Sequence, residues 1–345
     1  MERGLQATFL LGARSARPRQ PFAIRRQTVD GVSSSSLHAQ APPLNRLIVA
    51  SCYNEAMIAS ANIVFFSGTG CTAQSARALK DSLEKLDIGV RVEELRGPIS
   101  GTPAIDEDVL ILMYPLYTFN APLPIYEYVD HLEGAKEQKV ALVPVSGGGD
   151  VAPNRACRLG IRRELERKGY AVVYESMIVM PCNVIVCTPE PAAKALLEKL
   201  PSRCDEIARD ISKGVVLRID PPLTDRLFSK IGDWEKGYWG RIRFSEKLAV
   251  SDTCVSCGLC AQTCPRKNID MVEGLPRFRD DCVMCLNCIY GCPEKAISAG
   301  CGSFLVLKNG FRLSEYRTAS AVDEERIVPL LKGALWKGVR RYLFG

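Results

Sequence analysis

The sequence predicts an α/β protein: a doubly wound, parallel five-stranded sheet, followed by a small α+β domain rich in cysteine. Three observations predict this. Short apolar runs alternate with helical segments through the middle of the chain. Loops rich in glycine, hydroxyl and aromatic residues follow three of those runs, where the carboxyl ends of parallel strands carry ligand sites. Finally, a four-cysteine run, "CVSCGLCAQTCP" from Cys254, returns as "CVMCLNCIYGCP" from Cys282.

The 345 residues and their 47% hydrophobic content suffice for a sizeable core and more than one domain. No apolar run reaches the length of a spanning helix, so no membrane span is expected. Net charge is +6, and residues 1–46 hold seven arginines against Glu2 and Asp30, which leaves +5 there. A nucleic-acid protein spreads basic charge over a folded face, so no nucleic-acid partner is expected. Only His38 and His131 occur, which disfavours histidine metal sites and histidine-based triads. Fifteen cysteines in a long chain with a large core point to ligation in a reducing compartment, not to a disulfide framework.

Residues 1–56 are expected to be an N-terminal extension. Its start, "MERGLQATFLLGARSARPRQ", is rich in arginine, poor in acids and without periodicity. That composition fits a transit peptide or a disordered arm. The expected location is the cytoplasm, or an organellar matrix if the arm is an address.

The strands are expected at Asn62–Phe66, Val90–Leu95, Val109–Tyr114, Val140–Val145 and Ala171–Val179. "VLILMY" is apolar throughout, as a strand covered on both faces should be. A helix over Ala73–Leu86 places Ala76, Leu79, Leu83 and Leu86 on one face. Further helices fall near 122–134, 153–168 and 190–213.

The first strand ends in Ser67, Gly68, Thr69, Gly70, Cys71 and Thr72. Two glycines let the backbone fold around an anion, three hydroxyls can donate to it, and the next helix directs free N–H groups there. No lysine is present, which suits one terminal phosphate better than a triphosphate with magnesium. The same residues also read as G-x-G-x-x-A, with Glu93 or Glu94 one strand later, as in a dinucleotide fold. Two further loops favour the first reading. "YPLYTFNAP", with Pro115, Tyr117 and Asn120, offers rings that can stack on a flat ligand. "SGGGD", with Ser146, Gly147, Gly148 and Gly149, allows close backbone approach to a ligand edge. Together the three loops describe a site for flavin mononucleotide (FMN).

Over residues from Asn62 to Gly214 the chain resembles the flavodoxin family. The family's Ser/Thr-x-Thr-Gly-x-Thr loop is met at Ser67, Thr69, Gly70 and Thr72, and Cys71 stands where many relatives carry asparagine. Met180–Asn183, "MPCN", resembles a segment common in flavodoxin-like domains fused to ferredoxins.

The two cysteine runs align at an offset of 28 residues and share Val255/Val283, Pro265/Pro293, Lys267/Lys295 and Ile269/Ile297. C-x2-C-x2-C-x3-C-P resembles the run of bacterial two-cluster ferredoxins. Three close thiols can grip three irons of a cubane cluster, and the fourth ligand must come from elsewhere. Structural zinc would use paired C-x2-C knuckles, often with histidine. The ferredoxin resemblance implies two 4Fe-4S clusters. Cys254, Cys257, Cys260 and Cys292 would hold one. Cys282, Cys285, Cys288 and Cys264 would hold the other.

The expected domains are thus a flavodoxin-like FMN domain over 57–214, a helical linker over 215–248, a two-cluster domain over 249–300 and an extension over 301–345. In the linker, Leu223, Leu227, Ile231, Trp234 and Tyr238 recur at helical spacing, as for a helix docking one domain on the other. In the extension, Leu331, Leu335 and Val339 form a stripe flanked by Lys332, Lys337, Arg340 and Arg341. A docked helix with a solvated basic face is expected there.

The whole resembles a family of flavodoxin–ferredoxin fusion proteins. That implies electron transfer between FMN and two clusters, with redox proteins as donor and acceptor. A reductase acting on a small molecule at the flavin, and an iron–sulfur binding or sensor module without flavin, remain open as alternatives. No catalytic residue is singled out.

Overall fold

The computed structural model describes residues 58–220, 222–228, 230, 244–317 and 324–345. The N-terminal extension, and Ile231, Trp234 and Tyr238 of the expected linker helix, lie outside the described residues. All described residues fall in one compact unit.

Strands β1 (Ser60–Phe65), β2 (Gly89–Glu94), β3 (Val109–Pro115), β4 (Lys139–Ser146) and β5 (Ala171–Glu175) form a parallel sheet in the order β2-β1-β3-β4-β5. That is the flavodoxin-like order, with its switch point between β1 and β3. Period-two alternation divides each central strand between two apolar layers. Ala61, Ile63, Ile111, Met113, Ala141 and Val143 meet α1 (Cys71–Glu84) and α4 (Glu190–Ser212) on one face. Val64, Leu110, Leu112 and Leu142 meet α2 (Leu123–His131) and α3 (Leu159–Arg167) on the other.

The fifth expected strand, Ala171–Val179, is split. β5 stops at Glu175, and β6 (Ile178–Val179) resumes pairing with β4. The β4–β5 register shifts between Val140 and Ala141. Buried Glu175 pairs with Arg162 at 3.2 Å, and its Oε2 accepts the Ile219 N–H at 2.7 Å. Leu217 pairs in parallel with Tyr174, so the sheet edge runs past residue 214.

Of the expected linker stripe, Leu223 and Leu227 fall among the described residues, and neither is buried. Leu223 and Leu227 are 80% and 62% exposed, and the buried member of that segment is Asp225, held by Arg155 at 2.9 Å. The Arg155–Asp225 ion pair and a ring contact of Phe228 with Phe119 hold this stretch.

The cysteine-rich segment folds as two short antiparallel pairs with two small helices. β7 (Ala249–Val250) pairs with β10 (Ile297–Ser298), and β8 (Ile269–Val272) with β9 (Leu275–Phe278). α5 (Leu259–Thr263) and α6 (Asn287–Gly291) each begin directly after a left-handed residue, Gly258 or Leu286. The two runs repeat in backbone as well as sequence. Left-handed residues recur at Ser256/Met284, Gly258/Leu286 and Lys267/Lys295. In both, the fourth cysteine's sulfur accepts an N–H four residues on: Asn268 to Cys264 at 3.4 Å and Ala296 to Cys292 at 3.3 Å.

The C-terminal stripe is carried by two pieces, α7 (Glu324–Ile327) with a following turn, and α8 (Lys337–Phe344). The chain bends at Gly333, φ 86°, and Arg340 closes the bend on the carbonyls of Leu331 and Gly333. Leu331 and Val339 are buried against Val179, Ala192 and Leu196, whereas Leu335 is 59% exposed. A single docked helix is therefore replaced by a bent clasp over β6 and α4. Among the described residues no helix is long and apolar enough to cross a membrane.

Candidate cofactor site

The loop after β1 folds as its hydroxyls and glycines require. Ser67 is buried, and its Oγ accepts the Ala73 N–H at 3.2 Å, which closes the turn into α1. Gly70 takes φ 95°, a conformation costly for any residue with a Cβ. A Cβ there would meet nothing within 4 Å, so the loop is open at that point. Of the first N–H groups of α1, which have no intrahelical acceptor, that of Ala73 is taken by Ser67 Oγ. Thr69 Oγ1 accepts from Asn183 Nδ2 at 2.6 Å, and the Cys71 thiol points at the Pro181 carbonyl at 3.8 Å. The Met180–Asn183 segment thus forms a wall of the loop. Burial pushes the Cys71 thiol up to about 12, with Cys182 adding to the shift, so it stays neutral.

The aromatic loop divides its residues among three tasks. Tyr114 is buried in the core, its hydroxyl 3.4 Å from the Cys157 carbonyl. Pro115 ends β3. Tyr117 and Asn120 pair across a tight turn whose central residues, Thr118 and Phe119, have φ of 40° and 63°. Asn120 Oδ1 accepts from Ala121 N–H and the Tyr126 hydroxyl, so its oxygen stabilises its own loop. Phe119 packs edge-on against Phe228 at 5.4 Å. Only Tyr117 reaches the β1 loop: its hydroxyl stands 3.0 Å from where a Cβ on Gly68 would be.

The glycines of the Ser146–Gly149 loop lie close to other parts of the protein. A Cβ on Gly147 would lie 2.7 Å from the Cys182 Cβ, and one on Gly149 2.6 Å from the backbone of Gly338 in α8. Gly148 donates to Ser146 Oγ at 3.1 Å and lies against the Asn154 amide. Gly149 thus admits the C-terminal clasp, and the loop alone gave no sign of it.

The eight repeat cysteines line two hollows. Cys264, Cys282, Cys285 and Cys288 line one of about 430 Å³, counting space open to solvent. Cys254, Cys257, Cys260 and Cys292 line the other, of about 360 Å³. Each hollow takes three thiols from one run and the fourth from the other. Among the described residues no three histidine, cysteine or acidic side chains converge on a single-ion site. Burial raises three thiols of the first hollow: Cys282 to about 11, Cys285 to about 12, and Cys288 well above the ordinary range.

The first hollow lies against the sheet. The Cβ of Cys285 is 2.7 Å from where a Gly68 Cβ would stand, and Val283 packs on the sheet's apolar layer. Arg266 fastens this contact. It is buried, pairs with Glu127 of α2 at 2.6 Å and with Asp281 at 2.6 Å, and donates to the Gly97 carbonyl at 3.3 Å. Gly97 N–H in turn donates to the Pro265 carbonyl at 2.8 Å. Asn183 lay in the Met180–Asn183 segment singled out above, without a role, and Arg266 escaped the sequence reading. The only signal for Arg266 is that the repeat pairs it with Glu294, a change of sign at an otherwise equivalent position.

No protein-family model and no curated protein matches the chain. Among solved structures, it is similar to flavodoxin 2 of Bacillus cereus at 21% identity, covering 45% of this chain and 99% of that one, TM-score 0.34. It is similar to a flavodoxin from the domain Archaea at 15% identity, covering 45% and 98%, TM-score 0.31. The azoreductase AzrA is matched at 11% identity, covering 43% and 98%, TM-score 0.32. The fold assignment rests on the strand order instead: residues 60–212 form a flavodoxin-like α/β sheet with its helices.

Proposed function

We propose that the chain is an electron-transfer flavo-iron–sulfur protein, exchanging electrons between FMN and two 4Fe-4S clusters with other redox proteins as donor and acceptor. FMN would take its phosphate from Ser67, Thr69, Thr72 and the amides of Gly68 to Thr72, with Tyr117 beside it. The open space at Gly70 and the N-terminus of α1 fit an anion there. When bound, FMN supplies a centre that accepts one or two electrons, while each cluster handles one.

One observation carries the reading. The eight cysteines divide into two hollows of four, each drawing three from one run and one from the other. A cubane spreads its thiolates around a volume, whereas a zinc ion draws four to one point. A cluster would also reverse the raised thiol values, since iron ligation favours thiolate.

Anaerobic purification with iron, acid-labile sulfide and flavin measured together tests this. Eight iron, eight sulfide and one FMN per chain are expected; zinc in place of iron, or FAD in place of FMN, would overturn it.

A further inference from the structure

The sequence repeat presents the two cysteine sets as equivalent, but their surroundings are not. Val255 and Val283 occupy the same place in the repeat. Val255 is 61% exposed, whereas Val283 is packed on the sheet's apolar layer. Arg266 and Glu294 are likewise equivalent. The first is buried between Glu127 and Asp281; the second is exposed. Cys257 is exposed, and its counterpart Cys285 touches the β1 loop at Gly68 with Tyr117 alongside. One half of the pseudo-symmetric module is docked on the carboxyl end of the sheet, and the other half faces out.

We infer that the set Cys264, Cys282, Cys285 and Cys288 is the one that exchanges electrons with the ligand of the β1 loop, and that the set Cys254, Cys257, Cys260 and Cys292 exchanges them with carriers in solution. This rests on the cofactor reading above. Its carrier is the packing of Gly68 on Cys285. Glycine at 68 leaves no side chain between loop and cysteine, and electron transfer falls steeply with separation. The Arg266 clamp holds that separation fixed. The order is therefore solution carrier, outward cluster, docked cluster, flavin, in whichever direction the potentials drive. Each transfer oxidises the giver by one electron and reduces the receiver by one. Two transfers with two protons from water complete flavin reduction, and a one-electron carrier protein supplies or removes the electrons at the outward cluster.

The test compares Cys257→Ser, Cys285→Ser and Gly68→Ala at equal flavin content, with iron counted first. The readout is microwave power saturation of the flavin EPR signal in partly reduced protein, which a nearby reduced cluster raises. Cys257→Ser should keep the fast relaxation of the parent. Cys285→Ser should lose it, with saturation at several-fold lower power, although the outward cluster remains. Gly68→Ala, whose methyl must displace Cys285, should weaken relaxation without loss of iron. Fast relaxation retained in Cys285→Ser and lost in Cys257→Ser reverses the order and overturns the inference. Equal relaxation in all three overturns it too. Absence of iron from the parent protein would instead reject the cofactor reading, an outcome that the iron count reports separately.

Discussion

Thr69 has its hydroxyl held by the Asn183 amide at 2.6 Å, in the loop that opens at Gly70. Thr69→Leu replaces a donor by a bulky apolar group that cannot face a phosphate. FMN content should fall at least several-fold while iron and sulfide stay at parent levels; equal loss of both would place the flavin elsewhere. The thiols outside the repeat separate by burial. Cys157 and Cys204 are buried, and burial raises both to about 12. At pH 8 only about one in ten thousand would be thiolate. Iodoacetamide should label Cys187 and Cys301, both exposed, and leave those two unlabelled until the chain unfolds. Because the fold favours their neutral form, each contributes stability that is full below pH 9 and is lost as pH rises toward 12. Thermal midpoints should therefore fall across that range. At this scale the turn after β1 was readable because its chemistry is local: the Ser67 bond to the Ala73 N–H and the left-handed Gly70 follow from residue type and spacing. Asn183 and Arg266 meet their partners across 114 and 139 residues, and nothing in the local sequence marks such a contact.

At the scale of elements, β1 to β4 and the four long helices were legible because apolar periodicity directly encodes which face is buried. Leu79 and Leu83 of α1 are fully buried against α4 and the sheet. Leu83→Ala should cost about 2–5 kcal/mol, read as a lower urea midpoint at unchanged slope. The same reasoning failed for Leu223 and Leu227, which are exposed, since periodicity reports a stripe but not its cover. It failed again at residues 331–339, where Gly333 bends the chain. Arg266 joins two elements rather than forming one. Arg266→Ala should cost about 2 kcal/mol, less than a fully buried pair, because Glu127 and Asp281 both reach water. Arg266→Lys should recover little of it, since one ammonium cannot reproduce the forked contacts.

For the whole molecule, the decisive feature is how one chain brings a flavodoxin-like sheet and a doubled cysteine motif into one compact unit. The repeat was legible at once, since spacing alone sets the three-thiol loop. That one copy docks and the other faces out was not legible: the runs differ at eight of sixteen aligned positions, Leu286 and Tyr290 against Gly258 and Gln262 among them, but what covers them lies far away in sequence. The central claim is the exchange of the fourth thiol between runs, and it can be measured directly. EPR spectra of fully reduced Cys264→Ser, Cys285→Ser, Cys292→Ser and Cys257→Ser report which cluster each change damages. Cys264→Ser should match Cys285→Ser, and Cys292→Ser should match Cys257→Ser. A spectrum of Cys264→Ser that matches Cys257→Ser would mean that each run binds its own cluster, and would contradict the account.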